Sequence, residues 1–140
     1  MKRMSSYLLP VTIFVLGGII VSLHYFALAY HLYFSIWWFD LLVHSLSGAL
    51  VGLFVISVLM QFFAPSLLSG NTYPLLLQVI LCTVIVGTFW ETFELAFRLI
   101  PTDLYAYISD TASDMMMNVI GATAGYFCGL LYLRKQTSYA

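Results

Sequence analysis

Four apolar runs, each long enough to cross a hydrocarbon core, set the terms for any fold this chain can adopt. A helical crossing takes roughly 20 residues, and inside lipid every backbone N–H and C=O must find its partner within the protein. The runs cover about 7–30, 36–63, 74–100 and 110–133. They predict an all-α, polytopic membrane protein, an antiparallel bundle of four transmembrane helices forming one membrane domain over residues 1–140. Composition closes off the soluble alternative. Charged residues make up 8% of the chain and hydrophobic ones 62%, whereas soluble domains carry about 25% charged residues. A net charge of -1 excludes the basic surface that nucleic acid requires, so no nucleic-acid partner is expected.

The breaks between runs are short. "APSLLSGNTYP" (64–74) contains Pro, Gly and Asn, which interrupt helices. "IPTDLYAYIS" (100–109) opens with Pro101 and reads as a loop up to Ser109. Short connections imply antiparallel neighbours. "ALA" at Ala27–Ala29 resembles a signal-peptidase site, but the run before it exceeds a usual signal core, so the first helix is expected to remain. Cys82 and Cys128 lie in separate apolar runs and read as buried thiols, not as a disulfide or metal pair.

Orientation follows from the basic residues. Four of the five, Lys2, Arg3, Arg134 and Lys135, sit at the chain ends. The positive-inside rule then predicts a bacterial cytoplasmic membrane with both termini cytoplasmic. The three tryptophans and several tyrosines fall near the opposite ends of the helices, as in an interfacial aromatic belt.

Five of the six acidic residues converge on that same outer level. Asp40 and His44 open the second run, Glu91 and Glu94 come late in the third, and Asp110 and Asp114 open the fourth. At 100° per residue the polar and small residues of each run share a face. In the fourth these are Asp110, Asp114, Asn118, Gly121 and Gly125; in the third, Thr83, Gly87, Glu91, Glu94 and Arg98; in the second, Asp40, His44, Ser47 and Gly48. In the first run, Gly17, His24 and His31 align. Because a charge facing lipid costs roughly 2.5–3.5 kcal/mol on insertion scales, the stripes should face one another around an outward-opening cavity. Gly121 and Gly125 form a G-x-x-x-G pair suited to close helix packing.

Each residue also has a structural reading. Asp40 and Asp110 near helix starts would meet a favourable dipole. Thr111 with Asp114 resembles a capping box. Glu94 and Arg98 are spaced for an i,i+4 pair, and His24 and His31 could bond to neighbouring helices. The set is harder to explain structurally. Crowded carboxylates in a poorly hydrated site need protons, a cation or a cationic ligand to balance them.

Three segments carry a family resemblance. "WFDLLVHSLSGALVG" (38–52), "GTFWETFEL" (87–95) and "DTASDMMMNVIGATAG" (110–125) resemble YjdF-type membrane proteins and, more distantly, the VanZ-like family. The matching positions are Asp40, His44, Trp90, Glu91, Glu94, Asp110, Asp114, Asn118, Gly121 and Gly125; the first helix falls outside the resemblance. VanZ-like members usually carry a Glu-x-x-Gln-type pair where this chain has Glu91 and Glu94, so their association with glycopeptide resistance is not carried over. The resemblance implies the fold and the site, not a reaction.

The residues point first to a divalent metal held by Asp40, His44, Glu91, Glu94, Asp110 and Asp114, with Asn118, Arg98, His31 and Trp90 lining the site. Asp, Glu and His suit Zn, Mn or Fe, and a carboxylate-rich set also suits Mg or Ca. The ion would be structural, or would activate water against an outer-leaflet substrate with Glu91 or Glu94 as base; whether the chain is an enzyme stays open. One alternative is a proton- or cation-translocating protein. Another is a binding or assembly protein of the VanZ-like type. Expected partners are the lipid bilayer, an outer-leaflet lipid or small molecule, and a second copy through the Gly121/Gly125 face.

Overall fold

The computed structural model describes residues 7–62, 70–97 and 104–138. Helix α1 covers Leu8–Ala29, the short α2 Leu32–Ser35, α3 Phe39–Phe62, α4 Tyr73–Phe97 and α5 Leu104–Ser138. The four long helices are each apolar and long enough to cross a membrane, so the fold is an all-α polytopic membrane bundle. Arg98 and Asp103 lie outside the described residues.

Local chemistry explains the ends. Pro10 sits in the first turn of α1, where its missing N–H was due to be unpaired anyway. At the other end, Tyr30 N–H closes the last turn on the Phe26 carbonyl (2.9 Å). The chain then turns through His31, which adopts a left-handed backbone (φ 54°) and is the non-glycine residue with positive φ among those described. Its carbonyl accepts the Ser35 hydroxyl (3.0 Å). At the start of α4, Tyr73 N–H donates to Asn71 Oδ1 (3.0 Å), and Pro74 occupies the first turn.

The fourth long helix differs from expectation at both ends, and runs on to Ser138 where the sequence predicts an end near residue 133. It begins at Leu104, not at about residue 110. Proline restrains the residue before it but not those after, and "LYAYIS" contains no helix breaker. Asp110 is therefore in the second turn of α5, away from the helix start, and neither it nor Thr111 acts as a cap.

The helices alternate in direction. Glu91, late in α4, meets Thr111, early in α5. Ala27, late in α1, packs with Phe39 and Val43, early in α3. Helices α3 and α5 run parallel, and they form the tightest seam. A Cβ on Gly48 or Gly52 would strike the backbone carbonyl of Asn118 or Ala122, and one on Gly121 or Gly125 would strike that of Ser45 or Ala49. Two G-x-x-x-G motifs thus interlock within one chain. This corrects the expected homo-oligomer through the Gly121/Gly125 face, because that face is already covered by α3.

Away from the acidic end, α3, α4 and α5 close around Ile56, Leu75, Val79, Ala122, Tyr126 and Leu130. The polar tip of Tyr126 is satisfied, its hydroxyl donating to the Thr72 carbonyl (2.8 Å). Helix α1 is attached more loosely: it buries only Leu9 and Ala27, one near each end. Both cysteines are free, but Cys82 is half-buried and Cys128 exposed, unlike the buried pair expected.

Candidate functional site

The parallel α3–α5 seam brings the polar stripes of three helices together. Gly48, one turn after His44, lets α3 approach the Asn118 backbone. His44 thereby reaches Asn118 across 74 residues of sequence: its Nδ1 lies 3.2 Å from Asn118 Nδ2. The other ring nitrogen, Nε2, faces carboxylates, 3.4 Å from Asp40 Oδ1 and 3.9 Å from Asp114 Oδ2. Gly87 on α4 leaves room for the Asn118 amide, since a Cβ there would stand 3.3 Å from Nδ2 and 2.7 Å from Met115 Sδ.

Two triads share His44. One atom each from Asp40, His44 and Asp114 lie within 4.8 Å of one another, as do atoms from His44, Glu91 and Glu94. Glu91 Oε2 accepts the Thr111 hydroxyl (2.8 Å), the bond that replaces the capping role read from the sequence. Among the described residues, Glu91 Oε1 and Asp114 Oδ1 have no hydrogen-bond partner, and they are buried, on residues only 5% and 2% exposed. An unpaired buried acceptor costs about 1–3 kcal/mol and more when charged, so both oxygens are poised for a donor or a cation.

The Asn118 contact decides which imidazole nitrogen is free. With the amide nitrogen facing the ring, Nδ1 accepts, and a neutral ring carries its proton on Nε2, toward the acids. Turning the amide by 180° presents Oδ1 instead, so Nδ1 donates and Nε2 exposes its lone pair to the carboxylates. The second arrangement is the usual one for a metal-bound histidine, whose far nitrogen donates to an outer acceptor.

A cavity of about 240 Å³ adjoins the cluster. Asp40, His44 and Glu94 line it, together with Trp90, Tyr33 and His24. Tyr33 Oη lies 2.6 Å from His24 Nδ1, and the His24 ring meets Trp90 edge-on, centroids 5.4 Å apart. Burial pushes the Tyr33 hydroxyl well above its usual range, and the charges of Asp40 and Glu94 add to the rise, so it stays protonated as a hydrogen-bond donor.

Of the residues singled out from the sequence, Asp40, His44, Glu91, Glu94, Asp114 and Asn118 converge. Trp90 lines the cavity. Asp110 is half-buried one turn before Asp114 and belongs to neither triad. His31 is exposed at the α1–α2 turn and is not brought to the site, because its backbone serves the reversal of the chain. Arg98 lies outside the described residues. The sequence places Tyr33 only among the interfacial aromatics; His24 lies on a polar stripe expected to face the cavity, with a bond to a neighbouring helix as its structural alternative. The four-residue spacing of Gly48 and Gly52, legible in "SGALVG", was the available signal for the partner of Gly121 and Gly125.

A fold of this kind, with an acid- and histidine-bearing cluster between its helices, defines a polytopic membrane protein. The chain belongs to the DUF2238 family of predicted membrane proteins, whose family model matches residues 1–135. The match takes in α1, which the resemblance to YjdF-type proteins had left aside. No curated protein and no solved structure matches the chain.

Proposed function

We propose that this protein binds a divalent metal ion between α3, α4 and α5, through His44 Nε2 and carboxylates from Asp40, Asp114, Glu91 and Glu94. The observation that carries this reading is the pair of buried oxygens, Glu91 Oε1 and Asp114 Oδ1, unpartnered among the described residues and each on a residue that shares a triad with His44. A cation in either triad would satisfy the free oxygen there, and one shared between them beside His44 would balance the crowded negative charge. One imidazole among several carboxylates suits Mn, Fe or Zn better than a thiolate-preferring metal. The ion would tie three helices together. Glu94 is better placed than Glu91 to act as a base toward a cavity substrate, because it lines the cavity whereas Glu91 Oε2 is engaged by Thr111.

Binding is favoured over translocation by the apolar core beneath the site. Ile56, Val79, Ala122 and Tyr126 pack where a proton or ion path would have to continue. We further place the acidic end outward and both termini in the cytoplasm, on the basic residues at the chain ends. On the three acid-bearing segments we also group the chain with YjdF-type and, more distantly, VanZ-like proteins.

The test is a thermal titration of chelator-treated, full-length protein with Mn²⁺, Zn²⁺ and Mg²⁺. A site of this kind stabilises by about 2.7 kcal/mol at roughly 100 times Kd, and the rise in Tm should vanish in Asp114→Asn and in Glu91→Gln. No rise with any of the three ions would reject the proposal.

A further inference from the structure

The cavity beside the cluster is walled in part by outward-facing side chains of two helices. Its walls include Val21 of α1 and Val86 of α4, which are 70% and 50% exposed on faces that meet lipid. Helices α1 and α4 share no extensive packed seam among the described residues. They are bridged instead by the His24–Trp90 ring contact. Ile20 and Val21 lie one turn before His24 in α1, and Val86 lies one turn before Trp90 in α4. Both helices run toward the acidic end, so these residues frame a window at hydrocarbon depth beneath the bridge.

Polarity changes across the cavity in the same direction. The deeper wall is mostly apolar, with Ile20, Val21, Val51 and Val86 and with Thr83, whose hydroxyl donates to the Val79 carbonyl, while Asp40, Glu94 and His44 lie at the acidic end with Tyr33 and Trp90 beside them. No Lys or Arg among the described residues lines the cavity. Carboxylates next to aromatic rings form a site for an ammonium group, which gains both charge pairing and cation–π attraction. Even a divalent ion leaves the four carboxylates of Asp40, Glu91, Glu94 and Asp114 uncompensated in part.

We infer that the cavity takes a membrane-dissolved amphiphile with a cationic amine head, its head between Asp40, Glu94 and Trp90 and its chain leaving through the window between Val21 and Val86. Entry is lateral, from the bilayer, and needs no aqueous path. This goes beyond metal binding and does not depend on it.

The experiment uses full-length protein in a neutral detergent, with chelator present, and follows Tm against dodecylamine, ethylamine and dodecyl phosphate. Dodecylamine should give a saturable rise that ethylamine and dodecyl phosphate do not. Val21→Trp and Val86→Trp, both at exposed positions, should lose that rise while keeping the response to metal measured separately without amine. Equal responses to the amine and the phosphate, an equal response to ethylamine, no response to dodecylamine, or an unchanged response in both tryptophan variants would each overturn the inference. An absent metal response with a normal dodecylamine response would reject the metal reading and leave this one standing.

Discussion

His44 is the residue on which both triads turn, and its two nitrogens have separate tasks. Nε2 faces Asp40 and Asp114, while Nδ1 is held by the Asn118 amide. Removing an outer partner of a metal-bound histidine typically costs 10–100-fold in affinity. Asn118→Ala should therefore weaken metal binding by about that factor without abolishing it, as read by metal titration followed through Tm. Asp114→Asn should separate stability from binding. It removes a buried charge but keeps a polar atom in the same place, so metal-free stability should hold or rise by about 1 kcal/mol while the metal response is lost. A large loss of metal-free stability would show that Asp114 is chiefly structural. His31 gives the contrast. Its left-handed backbone suits glycine, so His31→Gly should leave stability within about 1 kcal/mol and the metal response unchanged. The sequence placed His24, His31 and His44 near the same membrane level, but only backbone geometry separates a ring that lines the cavity from one that turns the chain.

At the scale of the helices, the glycines decide where the site can form. Gly48 and Gly52 face backbone carbonyls of α5, and Gly121 and Gly125 face those of α3. A backbone carbonyl cannot rotate away from a new methyl group, so Gly48→Ala or Gly121→Ala must separate the helices. Each should lower stability by about 1–3 kcal/mol, the usual cost of overpacking, and should also weaken metal binding by moving His44 from Asn118. Gly18→Ala, with nothing within 4 Å of its added carbon, should be tolerated in the same melting experiment. Much of the architecture was legible in the sequence, because length and hydropathy alone specify a membrane-crossing helix. The start of α5 was not, since Pro101 and Asp103 look like a loop that the next residues do not continue. The pairing of the glycine motifs was half legible, since both spacings can be read but not that they face each other. A G-x-x-x-G spacing reveals a face for close approach but not whether the neighbour is another helix of the same chain or of a second one.

Across the whole molecule, the bundle is dense on one side and loose on the other. Helices α3, α4 and α5 enclose the cluster and seal it from the far end with Ile56, Val79 and Tyr126. Helix α1, buried only at Leu9 and Ala27, is the loosely attached wall of the cavity, to which it contributes Ile20, Val21 and His24. That asymmetry fits a site that holds something at one membrane level better than one that passes it through. Helical periodicity predicts that four polar stripes converge; those of α3, α4 and α5 do, while the α1 stripe brings His24 to the cavity but not His31. The depth of Asp114 and Glu91, and the oxygens left without partners among the described residues, required the packed structure. The most direct test is the metal content of purified full-length protein, compared between wild type and Asp114→Asn by elemental analysis. The account predicts about one divalent ion per wild-type chain and little in the variant, since removing a charged ligand removes most of the site's affinity. A wild-type protein without stoichiometric metal, or a variant that retains it fully, would contradict it.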